Sequence, residues 1–272
     1  MLYFFKNCLL GFRSFINGFK FIVEHKLYWY TIFPAILMLV IYQMGYLIKI
    51  NKPETHAENM NQIVWYMLRL LIEIIIASAL MRFAKYVVVI ILSPLLSKLS
   101  QKTEQKINGK TYSFNMQQLW HDIQRGARIA VRNITWEIVL FSFAFLIGFI
   151  GWGDISNSPI RYLMYFISFY YYGFSFMDYT SERWKLNFEE SIQFTRKNRG
   201  LAIVIGAFYS IMIWTFIDLK NLYIFGQEGT TFFEAVFLFV KTLFLWLCAS
   251  FAPIWAIVSS TLALLELKKN SE

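Results

Sequence analysis

The sequence predicts an all-α polytopic membrane protein, and three observations predict it. Of 272 residues, 57% are hydrophobic and only 16% charged, against about 45–50% apolar and about 25% charged in soluble domains. Six apolar runs of membrane-spanning length follow one another, where a transmembrane barrel would show short alternating segments. Lysine and arginine are placed unevenly between those runs. Residues 1–26, 93–133, 178–200 and the tail hold 18 of them, against 4 in the alternate loops. That bias puts both termini in the cytoplasm. A single integral membrane domain over 1–272 is expected.

Residues 1–26 read as an amphipathic helix in the membrane interface. Phe5, Leu9, Phe12, Phe15, Ile16, Phe19, Ile22 and Val23 recur at three- and four-residue steps, with Lys6, Arg13, Lys20 and Lys26 between them. Gly11 and Gly18 share a stripe that permits close packing on a neighbour. No cleavable signal peptide is expected, since charge runs through this segment and no A-x-A site follows.

The first span is 27–48. Pro34 predicts a kink near Tyr30, and Tyr28, Trp29 and Tyr30 form an aromatic belt. After a polar loop, 51–62, the second span covers 63–92. As a helix it would be ~45 Å long, beyond the ~30 Å of a bilayer core. It contains Arg69, Glu73, Arg82 and Lys85, each of which needs water, a partner or the membrane edge. Arg69 and Glu73 stand one turn apart and are expected to pair. Arg82 and Lys85 either snorkel to the inner edge or line a polar pathway. Ser93 and Pro94 then turn the chain.

Residues 95–133 form a basic cytoplasmic loop of two helices. Gly109 ends the first. The second sets Met116, Leu119, Trp120, Ile123, Ala127, Ala130 and Val131 on one face and Arg125, Arg128 and Arg132 on the other, a pattern suited to anionic lipid. The third and fourth spans, 134–152 and 160–177, form a hairpin. Both fall just short of the ~20 residues a full crossing takes, so full and partial penetration both stay open. In 178–200, another basic cytoplasmic segment, Asn187 and Glu190 predict a capping box, and Gly200 a C-cap after Arg196, Lys197 and Arg199. The fifth span is 201–217, and 218–231 is a polar outer loop. The last run, 232–265, is too long for one upright crossing. Pro253 makes it one kinked helix or two, and Lys241 lies inside it.

Catalytic and cofactor classes find no support. His25, His56 and His121 lack ligand spacing, so no metal site is expected. No phosphate loop, dinucleotide fingerprint, nucleophile elbow or zinc-protease motif occurs, so neither an enzyme nor a cofactor is expected. Asp178 and Glu182 could approach a metal, but helix capping and pairing with Arg183 are favoured. Cys8 and Cys248 make no pair motif. The net charge of +9 is assigned to loops held against lipid, and no nucleic acid partner is expected.

The order of elements resembles the CysZ and etoposide-induced membrane-protein family. The likeness rests on Gly11-Phe12 through Gly18-Phe19-Lys20, then Ile32-Phe33-Pro34, then Ser93-Pro94-Leu95-Leu96. It continues in Phe176-Met177-Asp178-Tyr179 and the basic helix from Phe188 to Arg199. The resemblance implies two long tilted helices, hairpins entering the bilayer partway, and sulfate permeation. It also implies paired arginines before the first long helix and a G-L-x-x-E-like motif after the second. Here Tyr28 and Trp29 stand at the first place and residues 97–101, Ser-Lys-Leu-Ser-Gln, at the second. On this basis the chain is expected to be an inner-membrane transporter or channel for a sulfate-like anion. Lys26, Lys98, Arg82 and Lys85 are the candidate anion-binding cations, with Lys26 and Lys98 nearest the missing arginines. The alternative is a non-transporting scaffold that binds lipid or partner proteins through its basic helices. Glycine and aromatic faces favour self-association.

Overall fold

The computed structural model describes residues 2–50, 59–109, 116–153, 157–214 and 231–270; side chains at 41–42, 44–50, 73–88, 116, 118, 119, 122 and 214 fall outside that description. In order come α1 (Leu2–Glu24), a 3-10 turn (Leu27–Thr31), α2 (Ile32–Ile50), α3 (Met60–Ile91), α4 (Ser93–Asn108) and α5 (Met116–Trp152). Then follow α6 (Ile160–Arg183), α7 (Phe188–Lys197), α8 (Arg199–Trp214) and α9 (Phe232–Lys269). No strand occurs among the described residues. The fold is all-α, as expected. Residues 123–152 of α5 and the whole of α9 are long and apolar enough to cross a bilayer, and Leu27–Val40 and Arg199–Ile213 are shorter apolar helices.

The bundle is built around α6. Its residues 171–181 are buried without a gap. α8 runs antiparallel against it with the two backbones touching. A methyl on Gly173 would overlap the Ala202 carbonyl, and one on Gly206 would overlap the Phe169 carbonyl. Small residues at both crossings therefore set the helix separation. α1 lies across α8 and α9, α5 packs on α6, α4 packs on α9, and α2 leans on α9.

α1 buries its small and polar residues and leaves most of its large apolar ones exposed. Its protein-facing stripe is Asn7, Gly11, Ser14, Phe15, Gly18 and Ile22. Of the eight apolar residues expected on one face, only Phe15 and Ile22 are buried; Phe5, Leu9, Phe12, Ile16, Phe19 and Val23 are exposed. Hydrocarbon gives a large apolar side chain little reason to leave it, whereas small and polar groups gain by packing together. Gly11 meets Val204 of α8 and Gly18 meets Ser259 of α9, the close approach their spacing predicts. Phe15 stacks on Phe208 at 4.3 Å between centroids, and its carbonyl accepts from Trp255 Nε1 at 2.8 Å.

Several boundaries correct the sequence reading. The first span does not start as an α-helix at Leu27. The chain passes Lys26 in a left-handed conformation, φ 54°, makes the 3-10 turn, and only then begins α2. Pro34 thus sits in the first turn of α2, where a missing N–H leaves no helix bond unmade. Pro94 likewise lies in the first turn of α4. The second amphipathic helix and the third span are one helix, α5, and the fourth span continues to Arg183. Their polar ends look extramembranous in sequence but are partnered inside the bundle. Gly200 is not a C-cap. Asn198 takes that position, and Gly200 lies in α8, where a methyl would meet the Phe4 carbonyl at 2.6 Å. The last run is one helix through Pro253, opened by a Thr231–Glu234 capping box. Gly109, φ 68°, ends α4, and the Asn187–Glu190 capping box is present. The loops 51–58 and 215–230 lie outside the described residues.

Gly206→Leu or Gly173→Leu forces α6 and α8 apart. Each is expected to destabilise the protein by at least the about 1–3 kcal/mol typical of overpacking, read as a lower thermal midpoint in detergent. Gly151→Leu, where an added methyl meets nothing within 4 Å, is expected to leave the midpoint unchanged.

Candidate functional site

α4 carries the site because its two faces differ. Leu96, Ser97, Leu99, Ser100, Thr103 and Glu104 are buried, while Lys98 and Lys102, one turn apart, are exposed. The buried face is clamped by Arg183 at the end of α6. Its Nε donates to Glu104 Oε2 at 2.7 Å, one Nη2 bond reaches Ser100 Oγ at 2.8 Å, and Nη1 reaches the Tyr179 carbonyl at 2.8 Å. The pair is nearly sealed from solvent, with side chains 6% and 3% exposed. Ser100 also shares a hydroxyl bond with Thr261 of α9 at 2.5 Å, and Thr180 lies 3.4 Å from the same oxygen. The Arg183 guanidinium so joins α4 to α6 through charge-assisted bonds, and the Ser100 and Thr180 hydroxyls carry the network on to Thr261 of α9.

The exposed face looks toward the break after α1. Lys102 Nζ sits 5.2 Å from the centre of the Tyr30 ring. Tyr30 belongs to the 3-10 turn that Lys26 opens, so the lysine row of α4 adjoins the turn next to Lys26. Lys26 and Lys98 are both exposed, as are Tyr28 and Trp29. Lys102 was not singled out from sequence, although Lys98 and Lys102 are spaced to share one helical face. Arg82, Lys85 and Glu73 have side chains outside the described residues, and the expected Arg69–Glu73 pair falls there with Glu73. Lys241 is exposed on α9.

A second polar cluster ties α5 to α6 and α7. Arg125 grips Asp178 with Nε to Oδ2 at 3.0 Å and Nη2 to Oδ1 at 2.9 Å, and its Nη1 donates to the Leu186 carbonyl at 3.0 Å. Ser191 Oγ adds a bond to Asp178 Oδ1 at 2.5 Å. This corrects two expectations. Asp178 pairs with Arg125 and not with Arg183, and Arg125 faces protein where a lipid-facing row was expected. Glu182 lies 3.3 Å from His121 and 4.0 Å from Arg125. Farther along α5, Asn133 Nδ2 donates to the Tyr171 carbonyl and Ser175, and buried Glu137 accepts from Ser168. Partners so distant in sequence carry no local signal.

A family model described as Sulfate transporter CysZ/Etoposide-induced protein 2.4 matches residues 14–217. The match takes in α4, α6, the turn beside Lys26 and the Arg125–Asp178 cluster, and ends before α9. No curated protein matches the chain.

Removing one member of a buried ion pair leaves the other charge stranded. Arg183→Met is expected to destabilise the protein by about 3–5 kcal/mol, read by thermal unfolding in detergent. Adding Glu104→Leu is expected to restore part of that loss, a coupling that a double-mutant cycle measures.

Proposed function

Because the chain belongs to the Sulfate transporter CysZ/Etoposide-induced protein 2.4 family, we propose that it passes a small inorganic anion across a bacterial inner membrane, with sulfate the first candidate. It is a multi-pass protein on this reading, with both termini in the cytoplasm, as the uneven distribution of lysine and arginine supports. One observation carries the anion assignment to particular residues. Lys98 and Lys102 stand on one face of α4, and Lys102 touches the turn that follows Lys26. An anion that sheds water needs fixed positive charge or backbone donors in exchange. On this reading Lys26, Lys98 and Lys102 supply that charge, and the Arg183–Glu104 clamp holds α4 in place behind them. Arg82 and Lys85 continue the same proposal along α3.

A second reading rests on Tyr28 and Trp29, exposed where the resemblance implies arginines. Without those arginines the chain would serve as a scaffold that holds lipid or partner proteins and moves no anion.

Liposomes containing the purified protein are expected to take up sulfate saturably above empty liposomes, with chloride and phosphate measured in parallel. Lys26→Ala and Lys98→Ala are each expected to lower the flux about 3- to 10-fold. Unchanged flux in both variants rules out these residues. No flux of any anion from folded, inserted protein leaves the scaffold.

A further inference from the structure

A surface groove of about 460 Å³ lies between α5, α6, the end of α7 and α8, away from the lysine row. Its composition changes along its length. Arg196 and Arg199 stand at one end, Tyr170, Tyr171 and Ile203 in the middle, and Leu140, Phe166 and Ile167 beyond them. The helix registers order these residues. Gly173 opposes Ala202 and Phe169 opposes Gly206, so Arg199 is level with the stretch of α6 near Phe176. Glu137 meets Ser168, so Leu140 is level with α6 near Tyr165. From the arginine end to Phe166 the groove thus runs some ten residues of α6, or ~15 Å.

The arginine end holds more positive charge than these two side chains. Arg132 of α5 acts electrostatically on Tyr170 together with Arg196 and Arg199, and Arg196 repels Arg132. Arg132 spends one bond on Asn133 Oδ1 and lies over the Phe174 ring, and Arg199 lies over Phe4. Among the described residues none of these three arginines forms an ion pair. Arg196 and Arg199 are exposed, as are Phe166, 54%, and Leu140, 36%. Three like charges with no ion pair among the described residues attract an anion from outside the chain, although buried Glu137 also acts on Tyr171, and the apolar trough leading from them suits hydrocarbon.

We infer that this groove binds one anionic phospholipid of the surrounding bilayer. The phosphate sits against Arg196 and Arg199, and an acyl chain runs past Tyr170 and Ile203 to Phe166 and Leu140. A free inorganic anion would use only the arginine end and leave the trough empty. A zwitterionic lipid would fill the trough but gain less from the arginines. The site does not depend on the transport proposal, since neither Lys26 nor Lys98 takes part.

The test uses the full-length protein in detergent, titrated with phosphatidylglycerol or phosphatidylcholine and read by native mass spectrometry. One phosphatidylglycerol is expected to be retained at about tenfold lower concentration than phosphatidylcholine. Arg196→Gln with Arg199→Gln is expected to abolish that preference. Leu140→Trp, which fills the trough and leaves the arginines in place, is expected to remove bound lipid of both kinds. A phosphatidylglycerol with a photoreactive acyl chain is expected to crosslink to the segments holding Leu140, Phe166 and Ile203. Equal retention of the two lipids, an undiminished preference in the arginine variant, or crosslinks spread evenly over the apolar surface would overturn the inference. So would protection of the arginine end by inorganic phosphate alone with no lipid retained.

Discussion

The contact between the α6 and α8 backbones is the constraint on which the bundle depends. Gly173 and Gly206 let the two helices approach until no side chain separates them. α1 then crosses α8 on its own stripe of small residues, and α9 closes over α1, α6 and α8. Van der Waals contact and hydrogen bonds do the holding here, because apolar side chains gain little by leaving hydrocarbon for one another. The same logic explains why Phe5, Leu9, Phe12 and Phe19 face outward while Asn7 and Ser14 face inward. Asn198 finishes the arrangement. Its side-chain oxygen accepts from Tyr3 and Asn7 of α1, and its amide caps α7 at the Phe194 carbonyl.

Two guanidiniums extend this core outward. Arg183 brings in α4 and α9 through Glu104, Ser100 and Thr180, while Arg125 brings in α5 and α7 through Asp178 and the Leu186 carbonyl. Both pairs are bidentate or multiply bonded, the condition under which a buried ion pair offsets its desolvation. Their consequence for function is positional. α4 presents Lys98 and Lys102 outward because its opposite face is held by Leu96 and Leu99 in the core and by Arg183. The groove beside α5 exists because Asn133, Glu137 and Arg125 fix α5 to α6 at one separation.

Several short-range signals in the sequence hold in the structure. Asn187 and Glu190 three residues apart make a capping box, Gly109 takes a left-handed C-terminal position, and the spacing of Gly11 and Gly18 marks a packing stripe. Thr231 and Glu234 carried the same capping signal and were passed over. Errors gathered where a polar residue was taken as a membrane boundary. Asn133 stands just before the predicted third span and Asp178 just after the fourth, yet α5 and α6 run through both, because Tyr171, Ser175, Arg125 and Ser191 satisfy them inside the bundle. Gly200 looked like a cap because it follows basic residues, but its missing side chain makes room for α1.

By itself the sequence determined that this is an all-α membrane protein, where most of its helices lie, and which family its order of motifs resembles. Those properties follow from composition, hydrophobic run length and short-range spacing, which act within a few turns of one helix. Only the tertiary structure decided which charge meets which. Arg183 chose Glu104, 79 residues away, and Arg125 chose Asp178, 53 residues away, from among several carboxylates of equal chemical fitness. Pairing at that separation depends on the crossing geometry of packed helices, which no single segment encodes.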